Sequence, residues 1–178
     1  MPGLDETRQF VPLKIAVLTV SDTRSLADDR SGTTLAERIA KVGHVVADRA
    51  IVTDDVEMIR GKMRAWIADP AIDVIISTGG TGFTGRDVTP EAAEPLFEKR
   101  MDGFSTVFHM VSHDKIGSST IQSRATAGTA GATYLFCLPG SPGACRDAWD
   151  EILKFQLDNR WRPCNFVELM PRLQEGKT

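Results

Sequence analysis

The chain has few cysteines, no strong excess of charge and no long apolar run, and each shortage removes a class of protein. Its three cysteines, Cys137, Cys145 and Cys164, are odd in number and form no C-x-x-C pair. That excludes a disulfide framework and a cysteine zinc site, and leaves reduced thiols. The formal net charge is −3 and the pI near 5.6, with no lysine-arginine block, so the chain carries no electrostatic footprint for nucleic acid. The longest apolar runs fall far short of the roughly 20 residues that cross a bilayer. The N-terminus also lacks a basic region followed by an apolar stretch. The expectation is a cytoplasmic protein with neither membrane nor nucleic-acid partners. No G-x-x-x-x-G-K-[ST] occurs, so ATP, if bound, is held by another device. His109 and His113 stand at i, i+4, but Met110 occupies the place where a zincin carries its glutamate, and a structural role is expected for both.

What remains is ordinary globular material: 178 residues, 42% hydrophobic and 25% charged, enough for one core and short for two domains. Residues 1–12 have no periodicity and are read as a flexible arm, ahead of a single domain over 13–178. Residues 13–20 make a buried strand that empties into a polar loop, residues 21–32. A helix over 33–42 follows, with Leu35, Ala36, Ile39 and Ala40 on one face and Gly43 as its stop. Residues 45–52 form the second strand. Asp54 or Asp55 caps a helix over 56–67 that turns Met58, Ile59, Met63 and Trp66 inward. From Pro90 to His113 the sequence is mostly helical, and a Gly-Ser-Thr-rich passage over 117–131 carries Ser123-Arg124. Residues 134–138 form another buried strand, ending in Pro139-Gly140-Ser141-Pro142-Gly143. A helix then starts near Ala144 with Ala148, Trp149, Ile152, Leu153 and Phe155 as candidate core, before a polar tail from Asn159. Strands alternating with helices predict an α/β fold: a three-layer αβα arrangement with a mostly parallel central sheet.

The chain is organised around residues 73–91, DVIISTGGTGFTGRDVTPE. Val74-Ile75-Ile76-Ser77 is a short buried strand that stops at glycines. The loop Gly79-Gly80-Thr81-Gly82 lacks Cβ at three of four positions, so its N–H groups are open to close approach by an oxyanion. Asp87 follows, then Thr89 as a candidate N-cap and Pro90 as a first helical residue. The run from Gly80 to Gly85 formally matches the dinucleotide fingerprint G-x-G-x-x-G. It follows the third strand, however, Asp87 intervenes before the helix, and residues 98–102 look helical, so the dinucleotide reading fits poorly and stays a minor alternative. An arginine in a serine-rich loop, Arg124 beside Ser123, suits bidentate clamping of phosphate.

Four motifs in order, SD…DRSG, ISTGGTGFTGRDVTPE, IGSSTIQSRATAG and LPGSPGACRDAW, resemble the molybdopterin-binding family, from about residue 13 to 157. FSTVFHMVSHDKIGSSTIQSRA and the ending RPCNFVEL resemble its MoaB branch. Active members adenylylate molybdopterin with Mg-ATP, giving molybdopterin-AMP and pyrophosphate. The resemblance implies Asp87 and Asp54 as catalytic, Mg²⁺-ligating acids. It implies Ser21, Asp22, Gly79, Gly80, Thr81, Gly82, Ser123, Arg124, Pro139, Gly140, Ser141 and Pro142 as the substrate pocket. Some relatives read PGNP where this chain reads PGSP, which changes a local contact and not the fold. An acid at the Asp54 position favours an active enzyme, with a non-catalytic molybdopterin-binding protein as the alternative. The family also implies a homotrimer or hexamer, for which the apolar surplus Phe104, Val107, Phe108 and Met110 is a candidate seam.

Overall fold

A computed structural model of the chain describes residues 1–177. In chain order it comprises β1 (Gly3–Leu4), β2 (Lys14–Val20), α1 (Arg30–Lys41), β3 (Val45–Val52), α2 (Val56–Ile67), β4 (Val74–Thr78), α3 (Thr89–Ala93), β5 (Lys99–Arg100), α4 (Asp102–Ile116), β6 (Thr126–Ala130) and β7 (Thr133–Leu138). Then come α5 (Pro142–Ala148), a π-helical turn (Trp149–Leu153), α6 (Lys154–Gln156), β8 (Trp161–Arg162) and α7 (Phe166–Leu169). The main sheet has the order β3-β2-β4-β7-β6-β5; its first four strands are parallel and β6 and β5 add on antiparallel.

β2, β4 and β7 are near-continuous apolar runs because both of their faces are covered. Alternate residues supply two cores. Ile15, Val17, Val74, Ile76, Tyr134 and Phe136 pack with α1, α4 and α5 on one face. Ala16, Leu18, Ile75, Leu135 and Cys137 pack with α2 and α3 on the other. The expected α/β architecture with helices on both faces is thus the observed one. The connection leaving β2 and the one leaving β4 go to opposite faces, so their carboxyl ends part to form a crevice where open α/β sheets take ligands.

Several local expectations are corrected. Residues 1–12 are fastened, because β1 pairs with β8, the Asn159 side chain binds the Val11 N–H and the Gln9 carbonyl, and Phe10 packs on His44. α1 starts at Arg30 rather than residue 33, since buried Asp29 caps it by accepting the Gly32 N–H at 2.9 Å. Ala40 is exposed, as is Met58, which lies in the first turn of α2 on its outer side. Residues 98–102 hold the edge strand β5 in place of a helix. Part of the Gly-Ser-Thr-rich passage is the fully buried strand β6, whose sequence TAGTA has loop composition. Gly128 in it abuts the Phe97 ring, 2.4 Å from where a Cβ would stand, so a side chain there has no room. Phe104 and Phe108 of α4 are core, 6% and 1% exposed, while Val107 and Met110 are 44% and 64% exposed. Among the described residues, no helix is long and apolar enough to cross a membrane.

Candidate functional site

The crevice is floored by the glycine loop after β4. Gly79 and Gly80 both have positive φ, +105° and +67°, which L side chains rarely adopt. A Cβ on Gly79 would lie 2.2 Å from the Val20 carbonyl oxygen, because the loop runs directly against the end of β2. Gly79 donates its N–H to Leu138 O at 3.0 Å, tying the loop to the end of β7 as well. Gly140 completes the arrangement: a Cβ there would stand 3.1 Å from the Gly79 Cα. Three strand ends therefore meet at glycine backbone. Thr89 is not the N-cap of α3; it lies inside the helix, and its hydroxyl donates to Gly79 O at 2.8 Å to hold the loop from below.

Two carboxylates flank this loop. Asp55 is the residue that caps α2, accepting the Met58 N–H at 2.9 Å, which releases Asp54 from that role. Asp54 Oδ1 lies 3.2 Å from the position a Gly80 Cβ would take. Burial raises the Asp54 pKa, and the charges of Asp22 and Asp87 add to the rise, against the Arg86 guanidinium. Asp87 stands behind Gly82, where a Cβ would come within 2.8 Å of its Oδ2. Burial pushes Asp87 upward, but the Thr84 hydroxyl and N–H and the Gly82 N–H outweigh it, with Arg124 contributing, and the carboxyl is held below the usual aspartate value. The Thr84 contacts are 2.6 Å and 2.9 Å. The two acids thus differ: Asp87 is fixed as a carboxylate, and Asp54 is a strained one.

The other expected site residues divide. Ser21 and Asp22 are at the crevice: the Ser21 hydroxyl accepts N–H groups of Thr23 and Arg24 at 3.3 Å, shaping the turn after β2. Asp22 accepts the Asp54 N–H at 3.1 Å and is forked by Arg86 with contacts of 2.7 to 3.0 Å. Ser141 caps α5 by accepting the Ala144 N–H at 3.1 Å, and Pro142 is the first residue of that helix. The Pro139 carbonyl accepts the Thr78 hydroxyl at 2.8 Å. Thr81 and Ser123 face each other with hydroxyl oxygens 3.4 Å apart.

Arg124 departs from expectation. Its guanidinium donates to Gly82 O and Asp87 O, both at 2.8 Å, and pairs with Glu91, while its own N–H donates to Thr81 O. It is a strut across the loop, and with Ser123 it also lines a neighbouring cavity. Residues without a local signal complete the scaffold. Buried Asp29 accepts the Thr19 hydroxyl at 2.7 Å and pairs with Arg49 at 3.2 Å. Arg86 joins the β2 and β4 loops across 64 positions of sequence. Thr84, three residues before Asp87, was also missed, although the T-x-x-D spacing of a side-chain turn is a local signal that could have found it. Among the described residues no three His, Cys, Asp or Glu side chains gather as a metal cage.

Taken together, an open, mostly parallel sheet with a glycine loop and flanking carboxylates at its strand ends defines a doubly wound domain whose crevice lies where such sheets take ligands. The chain belongs to the family described as probable molybdopterin binding domain, whose model matches residues 16–159. It is 49% identical to molybdenum cofactor biosynthesis protein B of Escherichia coli K12 over 158 residues, 89% of this chain and 93% of that protein. It is 39% identical to the protein of the same name from Bacillus subtilis strain 168 over 154 residues, 85% and 91% of the two. A crystal structure of molybdenum cofactor biosynthesis protein B superposes with a TM-score of 0.80 at 39% identity, covering 82% of this chain and 91% of that one. The tungsten cofactor synthesizing protein MoaB from Pyrococcus furiosus gives 0.68 at 35% identity, covering 80% and 91%.

Proposed function

We propose that this chain serves molybdenum cofactor biosynthesis by binding molybdopterin in the crevice and transferring to it the adenylyl group of ATP. The observation that carries the reading is the placement of Asp54, freed from capping, beside Gly80 and of Asp87 beside Gly82 in one loop. In the reaction an oxygen of the substrate's terminal phosphate attacks the α-phosphorus of ATP. A new P–O–P link forms, the α–β bond breaks, and pyrophosphate leaves. Both reactants are polyanions, so the site needs N–H donors for phosphate and an offset for charge.

Two carboxylates beside one glycine loop suit Mg²⁺, which is commonly held by one or two carboxylates together with substrate phosphates and water. Asp54 and Asp87 would hold it, and it would supply charge neutralisation. The raised pKa of Asp54 has the sense expected of a group waiting for a cation. The amides of the glycine loop orient phosphate, and the struts from Thr84, Thr89 and Arg124 keep the loop from shifting as charge moves.

The relatives named above carry the names of cofactor biosynthesis proteins, which supports the pathway; adenylyl transfer rests on the two acids. Incubation with molybdopterin and Mg-ATP tests it. Molybdopterin-AMP and pyrophosphate are expected in equal amounts. Molybdopterin binding with no pyrophosphate would leave a binding protein in place of an enzyme.

A further inference from the structure

Beside β2 the crevice deepens into a cavity of about 170 Å³, smaller than the roughly 300–1,000 Å³ that encloses a whole small-molecule ligand. It admits a compact end group and leaves a pterin or an adenosine outside. Its lining includes Arg24 from the loop after β2, Ser31 at the start of α1, Gly80, Gly140 and Asp54. The backbone N–H groups of Ser31, Gly80 and Gly140 donate to no acceptor among the described residues. Three loops, each with an amide that lacks an acceptor, thus border one small space.

Four arginines bear on the site, and three are committed. Arg49 is paired with Asp29 and Thr33, Arg86 with Asp22, and Arg124 with Glu91 and two loop carbonyls. Arg24 makes no side-chain hydrogen bond or ion pair among the described residues. Its charge nevertheless reaches the interior. The Cys145 thiol, which donates to Thr78 Oγ1 under the cavity, is pushed up to about 11 by burial, and Arg24 is among the groups that pull it back. Arg24, exposed and without a side-chain partner among the described residues, thus borders a cavity of phosphate size, and the parallel N–H groups of a guanidinium match phosphate oxygens.

We propose that Arg24 is the cation that receives the substrate's terminal phosphate, with the Ser31, Gly80 and Gly140 amides as neutral donors, and that Arg124 is a positioning residue. The proposal deepens the reading above and rests on it for the identity of the substrate. The Asp54 carboxylate shares the cavity and repels a phosphate dianion, so Mg²⁺ strengthens phosphate binding, and Asp54→Asn does so without metal.

The test is titration with inorganic phosphate, followed by ³¹P NMR and calorimetry, on the full chain and the variants Arg24→Gln, Arg24→Lys and Arg124→Lys, with circular dichroism as a fold control. Arg24→Gln should weaken phosphate binding at least tenfold, Arg24→Lys should keep part of it, and Arg124→Lys should change it less than threefold. In turnover, Arg24→Gln raises KM for molybdopterin, whereas Arg124→Lys lowers kcat. Wild-type affinity in folded Arg24→Gln, an equal loss in Arg124→Lys, or no phosphate binding by the wild type would each overturn the assignment. Phosphate titration needs neither ATP nor turnover. A chain that binds phosphate through Arg24 yet releases no pyrophosphate would sink adenylyl transfer alone.

Discussion

The Asp55 carboxylate accepts the Met58 N–H at 2.9 Å and so closes the first turn of α2, while Asp54 beside it bears on the glycine loop instead. Two adjacent acids therefore separate into a structural and a chemical one. Asp55→Ala should cost about 1 kcal/mol of stability, as loss of an N-cap does, and leave turnover near wild type. Asp54→Ala should abolish most turnover without loss of stability, because its raised pKa means that the folded state disfavours the charged form. Urea denaturation and pyrophosphate release decide it; a destabilised Asp54→Ala with normal turnover would reverse both roles.

Asp87→Asn keeps the shape and an acceptor for Thr84 but removes the charge. Turnover should fall at least about 100-fold, the usual scale for losing an electrostatic group at a reacting centre. Circular dichroism should be unchanged. Because Asp87 is held below the ordinary aspartate value and Asp54 above it, the acid limb of the rate profile should follow Asp54. An acid limb that persists unchanged in Asp54→Asn would refute this ordering.

Gly79 and Gly82 should respond differently to alanine. At Gly79 the positive φ and the Val20 carbonyl leave no room for a methyl group, so Gly79→Ala should cost about 2 kcal/mol or more. At Gly82 φ is ordinary and the atoms nearest the new Cβ belong to the Asp87 side chain, so the fold should survive while turnover drops. Equal stability of the two variants in urea would show the strain argument to be mistaken.

His44 supplies a pH dependence of folding. Its Nδ1 accepts the Leu13 N–H at 3.0 Å, its Nε2 is buried without a partner, and burial lowers its pKa from 6.5 to about 4 against the pull of Asp158 and Asp73. The unfolded chain takes up the proton first as pH falls. Stability from this group is therefore complete above about pH 6.5 and is lost between there and about pH 4, to a ceiling of about 3 kcal/mol. His44→Asn retains an acceptor but does not titrate, so its urea midpoint should fall less than that of the wild type across that window. Parallel curves would remove His44 from the account.

Phe108 and Met110 lie two positions apart on α4 and point to opposite environments. Phe108 stacks on Phe104, which meets Phe136 edge-on, so Phe108→Ala should cost about 3–5 kcal/mol. Met110→Glu should leave the subunit folded. If the outer face of α4 is the seam of the expected trimer, Met110→Glu also lowers the mass found by equilibrium sedimentation. A trimer unaffected by Met110→Glu would put the seam elsewhere.

Most of the main sheet was legible because its signals are local. A strand buried on both faces must be largely apolar, and β2, β4 and β7 are, apart from Lys14, Thr19, Ser77, Thr78 and Thr133. β6 was not legible: Gly128 is required by the Phe97 ring packed against it, and Phe97 lies about 30 positions earlier in the chain. The first twelve residues looked free for the same reason, since Asn159 and β8, which hold them, lie some 150 positions away.

The sequence by itself determined the glycine loop, the acids around it and the alternation that makes an α/β fold, because turn chemistry and side-chain periodicity act over a few residues. Which acid caps a helix and which faces the loop was decided only by the tertiary structure. So was the difference between a committed Arg124 and an unpaired Arg24. Those roles depend on which partners lie within about 3 Å, and that is fixed by a strand order that brings the ends of β2, β4 and β7 together.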